Sequence, residues 1–206
     1  GVFTPASTYY CAHTFTEAGS TRYDWTYAYG APPSGLLTLP EGLMRSCNPW
    51  FWHIGFELFE QGFTEAISEM ARGFGLGEVT RLEPVPEAEG NVPTPATVND
   101  AMNNAIGQGD TLVTPLQVAN FVAAIGNGGD LLRPQLVDRI VSPGGQVKFT
   151  FAPQVVGPLP ISPETLQTIQ AAMKSVVDNP RGTAYWQFIN FPIPFAGKTG
   201  TAEAPP

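Results

Sequence analysis

Two short clusters hold the residue types best suited to acid–base and acyl chemistry. Ser46-Cys47-Asn48 sets a hydroxyl and a carboxamide two positions apart, and Lys198-Thr199-Gly200-Thr201 sets an ammonium beside two hydroxyls. A serine hydroxyl both donates and accepts a hydrogen bond, so it can pass a proton along where a fixed charge cannot. The Asn48 carboxamide can grip a peptide backbone, and the Lys198 cation can lower the pKa of a basic neighbour. Gly200, lacking a side chain, lets an extended ligand lie close to the backbone. Neither cluster is specific alone. Ordinary residue usage yields a Ser-any-Asn triplet in roughly every second chain of this length, and a Lys-Thr-Gly triplet in about one in twenty. Weight has to come from their joint occurrence and from the elements that bring them together.

Residues 1–45, rich in Tyr, Thr, Gly and Pro, read as loops and short extended pieces. From Asn48 the pattern turns helical, with Pro49 at a first helical position, apolar residues Phe51, Ile54, Leu58 and Phe59, and Gly62 as the stop. Thr64 is expected to cap a second helix, with Ile67, Met70 and Ala71 on one face and Gly75 and Gly77 at its end. Residues 78–97, with four prolines, read as an irregular excursion. The clearest helix start is Thr114-Pro115-Leu116-Gln117, a capping box followed by an expected core face of Leu116, Ala119, Val122 and Ala123 and stopped by Gly126, Gly128 and Gly129. A hairpin is expected over about 136–151, turning at Ser142-Pro143-Gly144-Gly145. Ser162-Pro163 opens a helix whose Leu166, Ile169, Met173, Val176 and Val177 follow helical spacing. Residues 191–206, carrying Lys198, are expected to form a strand.

The chain of 206 residues is long enough for one sizeable core, and one globular unit is the working assumption. A formal net charge of -8 repels phosphate backbones, which argues against nucleic acid as a partner. The apolar runs fall well short of the roughly 18–20 residues that span a bilayer. Cys11 and Cys47 permit one disulfide and match no metal pattern. Free thiols are the expectation, because Cys47 sits between two candidate site residues where a crosslink would restrict packing.

In company, the two clusters resemble the penicillin-binding transpeptidases. Ala105-Ile106-Gly107-Gln108-Gly109, Val113-Thr114-Pro115-Leu116-Gln117, Gly126-Asn127-Gly128-Gly129 and Gly182-Thr183-Ala184 are similar to that family as well. The likeness covers most of 43–202; residues 1–42 match more loosely, best at Tyr9-Tyr10-Cys11. It implies an α+β fold represented here by its helical part (46–190), the hairpin and the Lys-Thr-Gly strand (191–206), all within a partial transpeptidase domain over 1–206. It also implies roles: Ser46 as the proton path, Asn48 on the substrate backbone, Lys198 bonded to Ser46, Thr199, Gly200 and Thr201 along the substrate carboxylate and peptide, and the Thr201 backbone N–H in the oxyanion hole. In the family, the nucleophile belongs to a Ser-any-any-Lys motif. The residues three past Ser7, Ser20, Ser34, Ser46, Ser68, Ser142, Ser162 and Ser175 are Tyr10, Tyr23, Leu37, Pro49, Ala71, Gly145, Thr165 and Asp178, so the motif is absent.

The expectation is therefore an internal fragment of a class B-like peptidoglycan D,D-transpeptidase that is inactive alone. Its parent would work at the outer face of the cytoplasmic membrane, bind stem peptides ending in D-Ala-D-Ala and β-lactams, and need no cofactor or metal. An unpaired edge of the Lys198 strand would offer a route to self-association. Two other readings stand beside it: a serine β-lactamase or β-lactam sensor, and a non-catalytic interaction module.

Overall fold

A computed structural model of the chain describes residues 2–201 and divides them into two units. The first draws on residues 2–68, 93–111 and 162–201, and the second on 69–92 and 112–161. In chain order the elements begin with β1 (Thr8–Cys11), β2 (Thr14–Phe15), β3 (Arg22–Tyr23), α1 (Trp25–Ala28) and β4 (Gly35–Thr38). The helices α2 (Leu39–Arg45), α3 (Asn48–Glu60), α4 (Ala66–Gly73), α5 (Val98–Ala105) and α6 (Pro115–Asn127) follow. Next come β5 (Asp130–Leu132), β6 (Arg139–Val141), β7 (Val147–Thr150) and β8 (Val155–Pro158), then α7 (Pro163–Asp178) and α8 (Tyr185–Phe188). The class is α+β, as expected. Among the described residues no helix is long and apolar enough to cross a membrane.

In the first unit, β1 pairs antiparallel with β4, Tyr9 opposite Leu37 and Cys11 opposite Gly35. This pair covers the start of α3, where Cys11, Leu37, Cys47 and Trp50 form one core cluster. Helix α3 packs along α5 so closely that a Cβ on Gly55 would lie 2.6 Å from the Ala101 carbonyl oxygen, so only glycine fits there. A second cluster joins Val176 and Val177 of α7 to Ala184, with Leu43 of α2 and Phe195 packed against it. Helix α7 is thus the shared support for the segments that carry the two candidate clusters. Of its five predicted core positions, Leu166, Met173, Val176 and Val177 are buried and Ile169 is half-buried.

Several expectations need correction. Residues 2–45 are more regular than their composition suggests, holding four short strands and two helices. Helix α4 starts at Ala66, two residues beyond Thr64, and buries Ser68 while Met70 stays exposed. Cys11 and Cys47 are not free thiols: they form a disulfide in the cluster around Trp50. The two chain positions lie 36 residues apart, a separation over which sequence gives no pairing signal. Residues 191–201 form no strand, because a strand is defined by ladder bonds to a neighbour and no described strand lies beside them; residues 202–206 lie outside the described residues. Among the described residues there is thus no such strand edge for the expected self-association.

In the second unit, β6 and β7 form the predicted hairpin, and β5 pairs with β8 around it. The capping box at Thr114 is present, but α6 is rotated from its expected face: Ala119, Val122 and Ala123 are exposed, and Gln117, Ala124 and Ile125 are buried. Gln117 explains the rotation. Its Oε1 accepts the Thr114 N–H at 2.8 Å, and its Nε2 donates to the carbonyls of Glu78 (2.6 Å) and Glu89 (2.8 Å). One buried polar side chain thereby fastens the irregular excursion to the helix. Replacing Gln117 by Leu leaves those buried groups unmet and is expected to lower the unfolding free energy by about 1–3 kcal/mol, measured by urea titration.

Candidate functional site

The Ser46 segment is built at a junction between two helices. Thr38 caps α2: its hydroxyl accepts the Glu41 N–H, and the Glu41 carboxylate accepts the Thr38 N–H at 2.8 Å. The Thr38 N–H and, after it, the Thr38 hydroxyl, which donates to the same carboxylate at 2.8 Å, hold the Glu41 carboxyl below its ordinary pKa. The helix ends at Arg45, and Ser46 takes a left-handed conformation (φ 52°, ψ 42°) in which its N–H bonds the Leu43 carbonyl. A non-glycine residue held there costs about 1–3 kcal/mol of backbone strain, a pattern that clusters at functional sites. Cys47 then becomes the N-cap of α3, with Pro49 in the first turn, so Asn48 is the first helical residue.

Side-chain contacts from several elements fix this junction. The Cys11–Cys47 disulfide ties its middle residue to the end of β1. The Trp25 indole N–H donates to the Arg45 carbonyl at 3.3 Å, and the Arg45 guanidinium lies over the Trp25 ring. Arg45 also donates to the Arg181 carbonyl and to the Ser34 hydroxyl, joining the end of α2 to the segment after α7.

The Lys198 segment reaches the junction from the other side of α7. The Gly197 N–H donates to the Met173 carbonyl at 3.2 Å, and Phe195 packs on the Val176–Val177–Ala184 cluster. Lys198 Nζ then donates to Ser46 Oγ at 2.7 Å and to the Thr199 carbonyl at 2.8 Å. No carboxylate among the described residues pairs with Lys198. Although Lys198 is an exposed residue, desolvation of its ammonium lowers the pKa from 10.5 to about 8.

Thr183 also enters the site. Its hydroxyl and that of Thr199 share a 2.9 Å hydrogen bond. The neighbouring Gly182 explains how that segment comes so near: a Cβ there would sit 2.3 Å from the Val176 carbonyl oxygen, at the end of α7. The Gly182-Thr183-Ala184 motif was visible in the sequence, but nothing in the motif placed Thr183 against Thr199. Asp24 lay outside every motif, yet it is buried and its Oδ1 accepts the Asn48 N–H at 3.0 Å.

Of the sequence-predicted residues, the structure brings Ser46, Lys198 and Thr199 together and puts half-buried Asn48 two positions from Ser46. Gly200 and Thr201 follow on exposed backbone, and no hydrogen bond among the described residues joins them to Ser46 or Asn48. The described residues contain no group of three or more His, Cys, Asp or Glu side chains arranged to hold a metal.

A serine hydroxyl at a strained helix junction, bonded by a lysine 152 positions away, is the kind of arrangement that serine-dependent acyl transfer uses. Residues 1–204 match the family model described as the penicillin binding protein transpeptidase domain. The chain belongs to that family. It is 24% identical over 217 residues to the peptidoglycan D,D-transpeptidase MrdA of Salmonella typhimurium, an alignment covering 98% of this chain and 33% of that protein. It is 35% identical over 144 residues to the peptidoglycan D,D-transpeptidase PbpA of Mycobacterium tuberculosis, covering 64% of this chain and 28% of that protein. Among solved structures, it matches the ceftriaxone acyl-enzyme complex of penicillin-binding protein A from M. tuberculosis with a TM-score of 0.79 and 27% identity, covering 98% of this chain and 44% of that one. The chain thus spans about a third of the length of the curated relatives it matches.

Proposed function

We propose that this chain is part of the transpeptidase domain of a class B-like peptidoglycan D,D-transpeptidase, contributing its proton relay and substrate-carboxylate anchor. The observation that carries this reading is the 2.7 Å bond from Lys198 Nζ to Ser46 Oγ. The relatives' names support it over a β-lactamase, and the bond counts against an interaction module in which Ser46 and Lys198 are unrelated surface residues.

In the reaction, a nucleophilic serine oxygen attacks the carbonyl of the D-Ala-D-Ala bond, the C–N bond breaks, and the departing amine needs a proton. Ser46 gives its hydroxyl proton to that nitrogen and takes one back from the base that deprotonated the nucleophile. Lys198 orients the Ser46 hydroxyl and, as a cation, keeps the base's pKa low enough to work near neutrality. Thr199 and Thr201 offer hydroxyls to the terminal carboxylate, Asn48 holds the substrate backbone, and the Thr201 N–H supplies one oxyanion donor. The site of action is the outer face of the cytoplasmic membrane, and the ligands are D-Ala-D-Ala stem peptides and β-lactams. The formal net charge of -8 argues against nucleic acid.

No Ser-any-any-Lys occurs within the 206 residues, so this stretch alone lacks nucleophile, base and the second oxyanion donor. Incubated with a fluorescent penicillin, the 206-residue chain is expected to give no covalent band after denaturation, while a longer protein joining it to a Ser-any-any-Lys segment gives one. A band on the short chain, or none on the long one, overturns the proposal.

The pH dependence follows from the Lys198 pKa of about 8. Below that pH the ammonium is charged and performs its role; above it the charge is lost. Penicillin acylation of the longer protein is therefore expected to fall on an alkaline limb centred near pH 8, and Lys198→Arg, which stays charged, to lack that limb whatever its absolute rate.

A further inference from the structure

Asp24 is 1% exposed, and none of the roles assigned above uses it. A carboxylate withdrawn from water is costly unless its oxygens are bonded. Here both are. Oδ2 accepts the Thr26 N–H at 3.2 Å and the Thr26 hydroxyl at 2.6 Å, which caps α1. Oδ1 accepts the Asn48 N–H, the first amide of the 13-residue helix α3.

Capping α1 does not require a carboxylate. Serine or threonine at position 24 would meet the Thr26 amide as well, without burying a charge. What only a two-oxygen side chain can do is cap two helices at once, and the second is the one that opens with Asn48. The negative charge also lies against the positive end of the longer helix, where an anion is favoured. Asp24 is itself anchored, its N–H donating to the His13 carbonyl at 2.8 Å.

We infer that Asp24 is a positioning residue for the Ser46-Cys47-Asn48 junction: by fixing the Asn48 amide, it sets where Ser46 presents its hydroxyl to Lys198 and where Asn48 meets the substrate. This rests on the transpeptidase reading of the site. The junction is also held by the Ser46 and Cys47 amides on the Leu43 and Gly42 carbonyls, by the Cys47 sulfur and through the Arg45 carbonyl; the Asp24 bond is the one that holds the Asn48 amide.

The test uses the full-length protein with Asp24→Ser, which keeps the α1 cap but cannot reach Asn48, and Asp24→Asn, which has one acceptor oxygen for two sets of donors. Ser68→Ala serves as a control, since it removes another buried hydrogen bond, to the Pro93 carbonyl, away from the junction. Both Asp24 variants are expected to slow penicillin acylation about 100-fold, the scale of loss for an ångström-level misplacement, with little change in the preceding non-covalent binding. Hydrogen exchange over residues 46–50 should accelerate in both, while Ser68→Ala changes neither readout at a comparable loss of melting temperature. Acylation within about twofold of wild type in Asp24→Ser, or an equal loss in Ser68→Ala, overturns the inference. If the wild type is not acylated at all, the transpeptidase reading fails instead, and the exchange rates decide the Asp24 inference by themselves: faster exchange at 46–50 supports it and unchanged exchange overturns it.

Discussion

In the full-length protein, Lys198→Ala is expected to slow acylation by a fluorescent penicillin about 10²- to 10⁴-fold, the span typical of removing a positioned acid–base group. The variant should fold as well as the wild type. Lys198 is exposed, has no carboxylate partner among the described residues, and carries a cation that burial disfavours. Because its folded pKa lies below the unfolded value of 10.5, the folded state binds the proton less tightly than the unfolded one. The penalty is full below about pH 8, where both states are charged, and it is relieved as pH rises toward 10.5, so this group makes the fold more stable over that interval. Removing it should abolish that rise in stability without lowering stability at neutral pH. A large rate loss beside an unchanged melting temperature separates a role in the reaction from a role in the fold. Lys198→Arg should also be impaired near neutral pH, since a planar guanidinium cannot take the place of a compact ammonium between Ser46 Oγ and the Thr199 carbonyl.

Removing the disulfide should have the largest effect on stability. The double variant Cys11→Ala/Cys47→Ala opens a crosslink spanning 36 residues, for which loop-closure entropy predicts a loss of roughly 3–4 kcal/mol. That is a large part of the total stability of an ordinary domain, about 5–15 kcal/mol. Both sulfurs are fully buried beside Leu37 and Trp50, so reduction should wait on unfolding and lost packing adds to the cost. In urea titrations the variant should be unaffected by reductant, and the reduced wild type should fall most of the way toward it, the remainder being the lost packing. A wild-type midpoint that does not move with reductant would contradict the crosslink's contribution. A disulfide fits an oxidising compartment, as the proposed location requires.

What was legible in the sequence was local. Thr114-Pro115-Leu116-Gln117 and Ser162-Pro163 announced α6 and α7 because a cap and a helix-starting proline act within one turn. The boxes at Thr38–Glu41 and Thr97–Asp100 carry the same chemistry, but the glycines and prolines around them read as loop. The apolar face expected for α6 differs from the buried one because periodicity counts apolar residues, whereas the side chain that sets the rotation is Gln117, held by three hydrogen bonds. Pairing of β1 with β4, and of Cys11 with Cys47, depends on contacts far apart along the chain that composition does not record. The site was legible only through its resemblance to a family. Spacing could not have placed Lys198 on Ser46, Thr183 on Thr199 or Asp24 on Asn48, since each contact depends on how α2, α3 and α7 pack.

If Ser46 and Lys198 act as one unit, a double-mutant cycle on the full-length protein will show it. Acylation rates are measured for the wild type, Ser46→Ala, Lys198→Ala and the double variant. Strong non-additivity is expected, the double variant reacting about as slowly as the slower single variant, because losing either partner already breaks the proposed relay. Losses that multiply would show two independent residues and contradict it.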